Sequence, residues 1–143
     1  MEDFVQKQCK SIEEDLKAFE RVGKSCKLST KKPGKPGGYA HLTIRKLNPE
    51  AGQVKKSSIT VSRAALLVKL IKEGEVSTLE IDRELECSHL CHNKLCINTD
   101  HLVLESKSLN ISRNICSRRR QCQGGHEPAC KADLRSAFWH FFP

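Results

Sequence analysis

His89, Cys91, Cys96, His101 and Asn110 fall in the order His-x-Cys-x4-Cys-x4-His-x8-Asn, and Cys116, Cys122, His126 and Cys130 follow as Cys-x5-Cys-x3-His-x3-Cys. Thiolate and imidazole are the ligands zinc favours in four-coordinate sites, and short loops let one turn deliver two of them. The second group is a complete Cys3His set with Gly124, Gly125 and Pro128 among its members as turn residues. In the first group Cys91, Cys96 and His101 supply three ligands, so a fourth must come from a distance. Cys26 is favoured over Cys87, because a strand carrying Cys87 two residues before His89 would aim it elsewhere. A zinc held by Cys26 would tie the two halves of the chain together. Both sites use protein ligands throughout, which implies structure and not catalysis.

His89 and Asn110 are left over. A neutral imidazole beside a zinc loop can act as a general base, since its ordinary pKa lies near neutrality. Asn110 follows Ser106 and Ser108, which read as helix-start residues. Its amide oxygen is a hard ligand suited to Mg²⁺, an ion that keeps several waters and completes its shell with substrate phosphate. A strand-borne histidine beside a helix-borne oxygen donor is a plan for phosphodiester hydrolysis. Composition alone favours a plainer reading, with His89 a structural histidine and Asn110 a helix-cap residue.

The elements that would position these residues show in the hydrophobic pattern. Residues 2–23 read as an amphipathic helix carrying Phe4, Val5, Cys9, Ile12, Leu16 and Phe19 at three- and four-residue steps. Cys9 lies on that stripe as a small core residue. The segment from Lys27 to Gly38 is basic and rich in Pro and Gly, hence a loop, either solvated or contacting phosphate through Lys31, Lys32 and Lys35. Alternation predicts a strand over Tyr39–Leu47 and a second around Val54–Val61, with Arg45, Lys55 or Lys56, Ser58 and Thr60 on the polar face. Ser62 is the expected N-cap of a helix ending near Gly74, and a strand from Leu79 to Glu86 leads into the cysteines. Phe138, Trp139, Phe141 and Phe142 form an apolar tail expected to dock on the body or on a second subunit. The expected architecture is α+β: a small antiparallel sheet plus helices, a ββα-metal motif and two structural zinc loops. It forms one domain over 1–143, divided into 1–80, 81–115 and 116–143.

Composition narrows the partners. The chain has 143 residues, 38% of them apolar, and a net charge of +8. That field favours polyanions, nucleic acid first and an acidic membrane surface second. No run reaches the roughly 18 apolar residues of a membrane span, and the N-terminus lacks the apolar core of a secretory signal. Without a secretory route, eight cysteines point to metal in a reducing compartment rather than to disulfides. A DNA-directed protein of this kind would be expected in the nucleus.

The run from Cys87 to Cys116 closely resembles the His-Cys box of homing endonucleases, members of the ββα-metal (His-Me finger) nucleases, in its spacing and in the words SHLCHN, HL and ES. The resemblance implies His89 as general base and Asn110 as the protein ligand of a catalytic Mg²⁺. It implies a first zinc on Cys26, Cys91, Cys96 and His101, and a second on Cys116, Cys122, His126 and Cys130. Asn114 matches a position that supports the active-site helix. The family lays its N-terminal antiparallel sheet in the major groove of double-stranded DNA and acts as a homodimer. It also places a basic residue of that sheet near the scissile phosphate, here Lys56, with Lys55 and Arg45 behind it. Arg118, Arg119 and Arg120 would contact phosphate or simply be solvated. The second zinc loop departs from the family pattern in its spacing, and the tail after Cys130 is shorter than the family's dimerisation arm. The alternative function is a noncatalytic zinc-stabilised nucleic-acid binder; a zinc-dependent adaptor fits the basic sheet and loop less well.

Overall fold

The computed structural model describes residues 2–22, 25–48, 50–80, 84–119 and 125–130. Helix α1 (Glu2–Leu16) precedes a ribbon of β1 (Phe19–Val22) and β2 (Cys26–Ser29). A longer ribbon follows, β3 (His41–Asn48) and β4 (Gln53–Thr60), then helix α2 (Val61–Lys72). Strands β5 (Leu85–His89) and β6 (Leu102–Ser106) lead into helix α3 (Lys107–Arg119), with a short 3-10 turn at Thr99–His101 before β6. All three ribbons are antiparallel and two-stranded, an α+β arrangement as the sequence implied. None of the described helices is long and apolar enough to cross a membrane.

The first helix is seven residues shorter than the pattern suggests, ending at Leu16 instead of residue 23. Phe19 keeps helical spacing from Leu16, yet its backbone pairs with Ser29 across the β1–β2 ribbon. There its ring lies under Arg21 and Lys27, at 5.5 and 5.3 Å from the cations. Lys27 to Ser29, expected as loop, are therefore strand. The apolar stripe of α1 packs Cys9 and Ile12 against Ala65 and Val68 of α2 and the inner face of β3. Cys9 is buried in the core, and burial raises its thiol pKa.

The β3–β4 ribbon turns through Gly52, whose φ of +61° suits glycine. Register then sorts its side chains. Leu42, Ile44 and Ile59 face the core, while His41, Thr43 and Arg45 oppose Thr60, Ser58 and Lys56 on the outer face. Lys55 opposes Lys46 and so belongs to the inner-face set, away from the polar face. A one-residue step reverses the side in a strand, which separates Lys55 from Lys56. Gln8 of α1 closes the free edge of β3, accepting from Arg45 N at 3.0 Å and donating to Arg45 O at 2.6 Å.

Thr60, not Ser62, caps α2, its Oγ1 accepting from Arg63 N at 3.4 Å. Ser62 is buried in the first turn instead. Leu79 is a core residue, and the described strand begins at Leu85, later than expected from the sequence. Residues 81–83 of the expected strand lie outside the described residues, as do Arg120, Cys122, Gly124 and the aromatic tail.

Candidate active site and zinc centres

Cys26, Cys91, Cys96 and His101 converge so that their ligand atoms all lie within 4.8 Å of one another, and all four are buried. His101 Nδ1 stands 3.6 Å from Cys26 Sγ and 3.4 Å from Cys96 Sγ. A tetrahedral zinc with Zn–S of about 2.3 Å and Zn–N of about 2.0 Å has S···N edges of about 3.5 Å, so the set fits the ion. On the far side of the ring, Nε2 is 3.1 Å from Ser25 Oγ. Donation there leaves the Nδ1 lone pair for metal. The three sulfurs crowd one another: hydrogen bonds from Cys26 and Cys91 pull the Cys96 thiol far below its ordinary range, while hydrogen bonds with Cys26 and Cys96 push Cys91 up. A dication is what allows all three to ionise together.

Backbone bonds weld β2 to this zinc loop. Ile97 N donates to Lys27 O at 2.7 Å and Ser29 N to Leu95 O at 3.2 Å, while Asn98 Nδ2 reaches Ser25 O at 2.7 Å. Cys26 thus enters the site from a strand bonded to the loop that supplies Cys96. Cys87 takes no part. It lies against Ser62, and burial pushes its pKa up to about 12.

A second cluster gathers Cys116, His126 and Cys130. His126 Nδ1 is 3.7 Å from Cys116 Sγ and 3.6 Å from Cys130 Sγ, and its Nε2 is 2.7 Å from Ser112 Oγ. The spacing again matches the zinc edge, and the serine again sits behind the imidazole. Cys122, the expected fourth ligand, lies outside the described residues.

Between the centres, β5, β6 and α3 form a ββα unit that carries both leftover residues. His89 ends β5 and is 8% exposed; its Nε2 is 3.2 Å from Cys96 O. A carbonyl only accepts, so Nε2 carries the proton and the lone pair of the neutral ring sits on Nδ1. Burial lowers the pKa of the ring to about 4, which keeps it neutral at neutral pH. The Tyr39 ring centroid lies 6.2 Å away.

Asn110, in the first turns of α3, is held from two sides. Ser88 Oγ donates to its Oδ1 at 2.9 Å, and its Nδ2 donates to Glu86 Oε2 at 2.6 Å. An ionised carboxylate cannot donate, so Glu86 fixes which end of the amide is nitrogen. Oδ1 keeps a second lone pair, compatible with a hard divalent ion. Asn110 and Glu86 line a groove of about 690 Å³ shared with Tyr39, Lys46, Ser58 and Arg63.

The basic candidates separate by position. Arg45, Lys56, Ser58 and Thr60 share the outer strand face, and of these Ser58 and Thr60 also line the groove; Lys55 and Lys56 do not. Lys31 stands 3.5 Å from Asp15, while Lys32 and Lys35 are exposed on the loop. Arg118 and Arg119 end α3, exposed.

Asn114, expected to support α3, faces solvent. Support comes instead from its neighbour Arg113, which is 1% exposed and binds Glu105 of β6 through Nε and Nη2 at 2.6 and 3.0 Å. Its Nη1 also approaches Cys130 Sγ at 3.7 Å, so one arginine joins the ββα unit to the second zinc cluster. Helical phase separates the two neighbours: a step of 100° turns Asn114 outward once Arg113 and Cys116, three apart, face in. Glu86 and Arg113 both escaped sequence reading. A charged residue at an inward position of a helix that carries a candidate zinc ligand was the available signal for Arg113; Glu86 offered none.

A family model described as the zinc-binding loop region of homing endonuclease matches residues 25–136, a span that includes every ligand from Cys26 to Cys130. No curated protein and no solved structure matches the chain.

Proposed function

The chain belongs to the family of the zinc-binding loop region of homing endonuclease, and from that premise we propose that it hydrolyses phosphodiester bonds of double-stranded DNA with the aid of a divalent cation. The observation that carries this is the pair held on one ββα unit: an imidazole with its lone pair on Nδ1, and a carboxamide clamped by Ser88 and Glu86. A protein that only bound DNA would need neither. His89 takes a proton from water at Nδ1 as the water oxygen bonds to phosphorus. The P–O ester bond breaks, and the departing oxygen is protonated by solvent. Asn110 Oδ1 would hold Mg²⁺, which when bound supplies positive charge to the phosphate and the leaving oxygen. Cys96 O keeps the base in the required tautomer, so the zinc loop also sets the aim of His89.

The outer face of β3–β4, with Arg45, Lys56, Ser58 and Thr60, is the surface proposed to enter the major groove. One centre per chain cuts one strand, so double-strand cleavage calls for a homodimer, and the nucleus is the proposed place of action.

The test is conversion of supercoiled plasmid with and without Mg²⁺. We expect cation-dependent cutting that His89→Ala reduces by about 10²- to 10⁴-fold, with zinc content unchanged. Equal cutting by wild type and variant would refute the role of His89. A second reading, a zinc-stabilised DNA binder without cleavage, draws on the 8% exposure of His89. It requires cation-independent binding and intact plasmid.

A further inference from the structure

Among the described residues, three basic side chains line the groove beside Asn110: His41, Lys46 and Arg63. Lys46 stands 3.3 Å from Glu80, and the Nδ1 of His41 is 3.1 Å from Tyr39 O. Arg63 differs from both. Its Nη1 donates to Leu85 O at 2.7 Å, and among the described residues no carboxylate lies within ion-pair distance of it. A carbonyl orients a guanidinium without neutralising it. Five N–H donors in a rigid fork, less the one given to Leu85, leave an edge free for a planar pair of oxygens.

The anchor matters as much as the free edge. Leu85 immediately precedes Glu86, whose carboxylate holds Asn110 Nδ2 at 2.6 Å. The guanidinium and the carboxamide are therefore both tied to consecutive residues of β5. We propose that Arg63 grips the phosphate to be cut, the role that the resemblance gave to Lys56, with Lys55 and Arg45 behind it; this rests on the nuclease reading above. Lys56 and Lys55 are exposed and outside the groove lining, where a flexible ammonium contributes long-range attraction. Arg63 is half-buried, so its attraction for an anion is less screened, and its fork gives direction as well as charge.

The experiment compares Arg63→Gln and Arg63→Lys with wild type in two measurements. One is the single-turnover rate of plasmid cutting at saturating protein with Mg²⁺. The other is affinity for a short DNA duplex across a salt series with Ca²⁺ in place of Mg²⁺. We expect Arg63→Gln to lower the rate about 100-fold and to reduce the slope of log affinity against log salt by about one. A wild-type rate with a wild-type slope overturns the assignment. So does a reduced slope at full rate, which would put Arg63 on a phosphate that is not cut, and so does a reduced rate at full slope. Should Arg63→Gln fail to fold, Arg63→Lys decides: one ammonium cannot serve Leu85 O and a phosphate fork equally, so full rate and slope in that variant overturn the proposal. A wild type that binds DNA without cutting fails the nuclease reading, and the slope then decides whether Arg63 holds a phosphate.

Discussion

At the scale of single residues, the site works by removing choices from side chains that would otherwise have several. Cys96 O leaves His89 one tautomer, and the Ser25 and Ser112 hydroxyls stand where they can accept from Nε2 of His101 and His126 when Nδ1 faces a metal. Glu86 does it for an amide, accepting from Asn110 Nδ2 at 2.6 Å so that Oδ1 is presented in one direction. If aim is the contribution of Glu86, its charge is incidental and its acceptor oxygen is essential. Glu86→Gln keeps an oxygen that can accept the same bond, whereas Glu86→Ala does not. We therefore expect Glu86→Gln to cut DNA near the wild-type rate and Glu86→Ala to lose roughly 10- to 100-fold, the usual cost of removing a partner that orients a metal ligand. Mn²⁺ binding followed by electron paramagnetic resonance should weaken in step for the Ala variant alone. Equal losses in both variants would show that charge, and not aim, is what Glu86 supplies.

At the scale of elements, the question is what holds α3 against β5 and β6 when so little of its surface is apolar. Ile111 and Ile115 are 50% and 40% exposed, so hydrophobic burial contributes little there. The buried Arg113–Glu105 pair does the fixing, bidentate and nearly water-free. Breaking such a pair from one side leaves a buried charge alone, at a cost of about 3–5 kcal/mol. Arg113→Met should lose about that much in urea unfolding, and Arg113→Met with Glu105→Leu should recover most of it. A double variant as unstable as the single would mean that the contact with Cys130 Sγ is the larger contribution. The inward phase of Arg113 was there to be read, but its pairing with Glu105 was not, because a pair eight residues apart across a strand and a helix has no fixed spacing to recognise. The first Cys–His cluster was legible for the opposite reason: Cys91, Cys96 and His101 lie within one short loop, where spacing reports geometry directly. The β1–β2 ribbon was missed because Leu16 to Phe19 is a three-residue step that a helix and a strand start can share. Alternation did reveal β3 and β4, but it left Lys55 and Lys56 undivided until register assigned their faces.

At the scale of the whole molecule, the first metal cluster is the joint between an ordinary helix-and-ribbon half and a ligand-rich half. The main apolar cluster draws on α1, β3, β4 and α2, whereas Cys26, Cys91 and Cys96 form a separate small cluster with Val22 and Leu28. Beyond the β2 backbone bonds and the Leu28–Cys96 bridge, Cys26 is the route by which the N-terminal ribbon would reach a metal. Metal affinity here is folding free energy, since three thiols crowded together resist ionising without a cation. Cys26→Ala removes one ligand of four and leaves the second cluster untouched, so bound zinc should fall from two ions per chain to about one, read by elemental analysis against protein absorbance. The Tm should fall with it, and because His89 Nε2 is set by Cys96 O, plasmid cutting should fall further than DNA affinity. A strong chelator added to wild type should reproduce the loss of Tm, and zinc added back should restore it. Two zinc ions retained by Cys26→Ala would show that another group completes the site, and would leave the N-terminal ribbon without a bond to that metal.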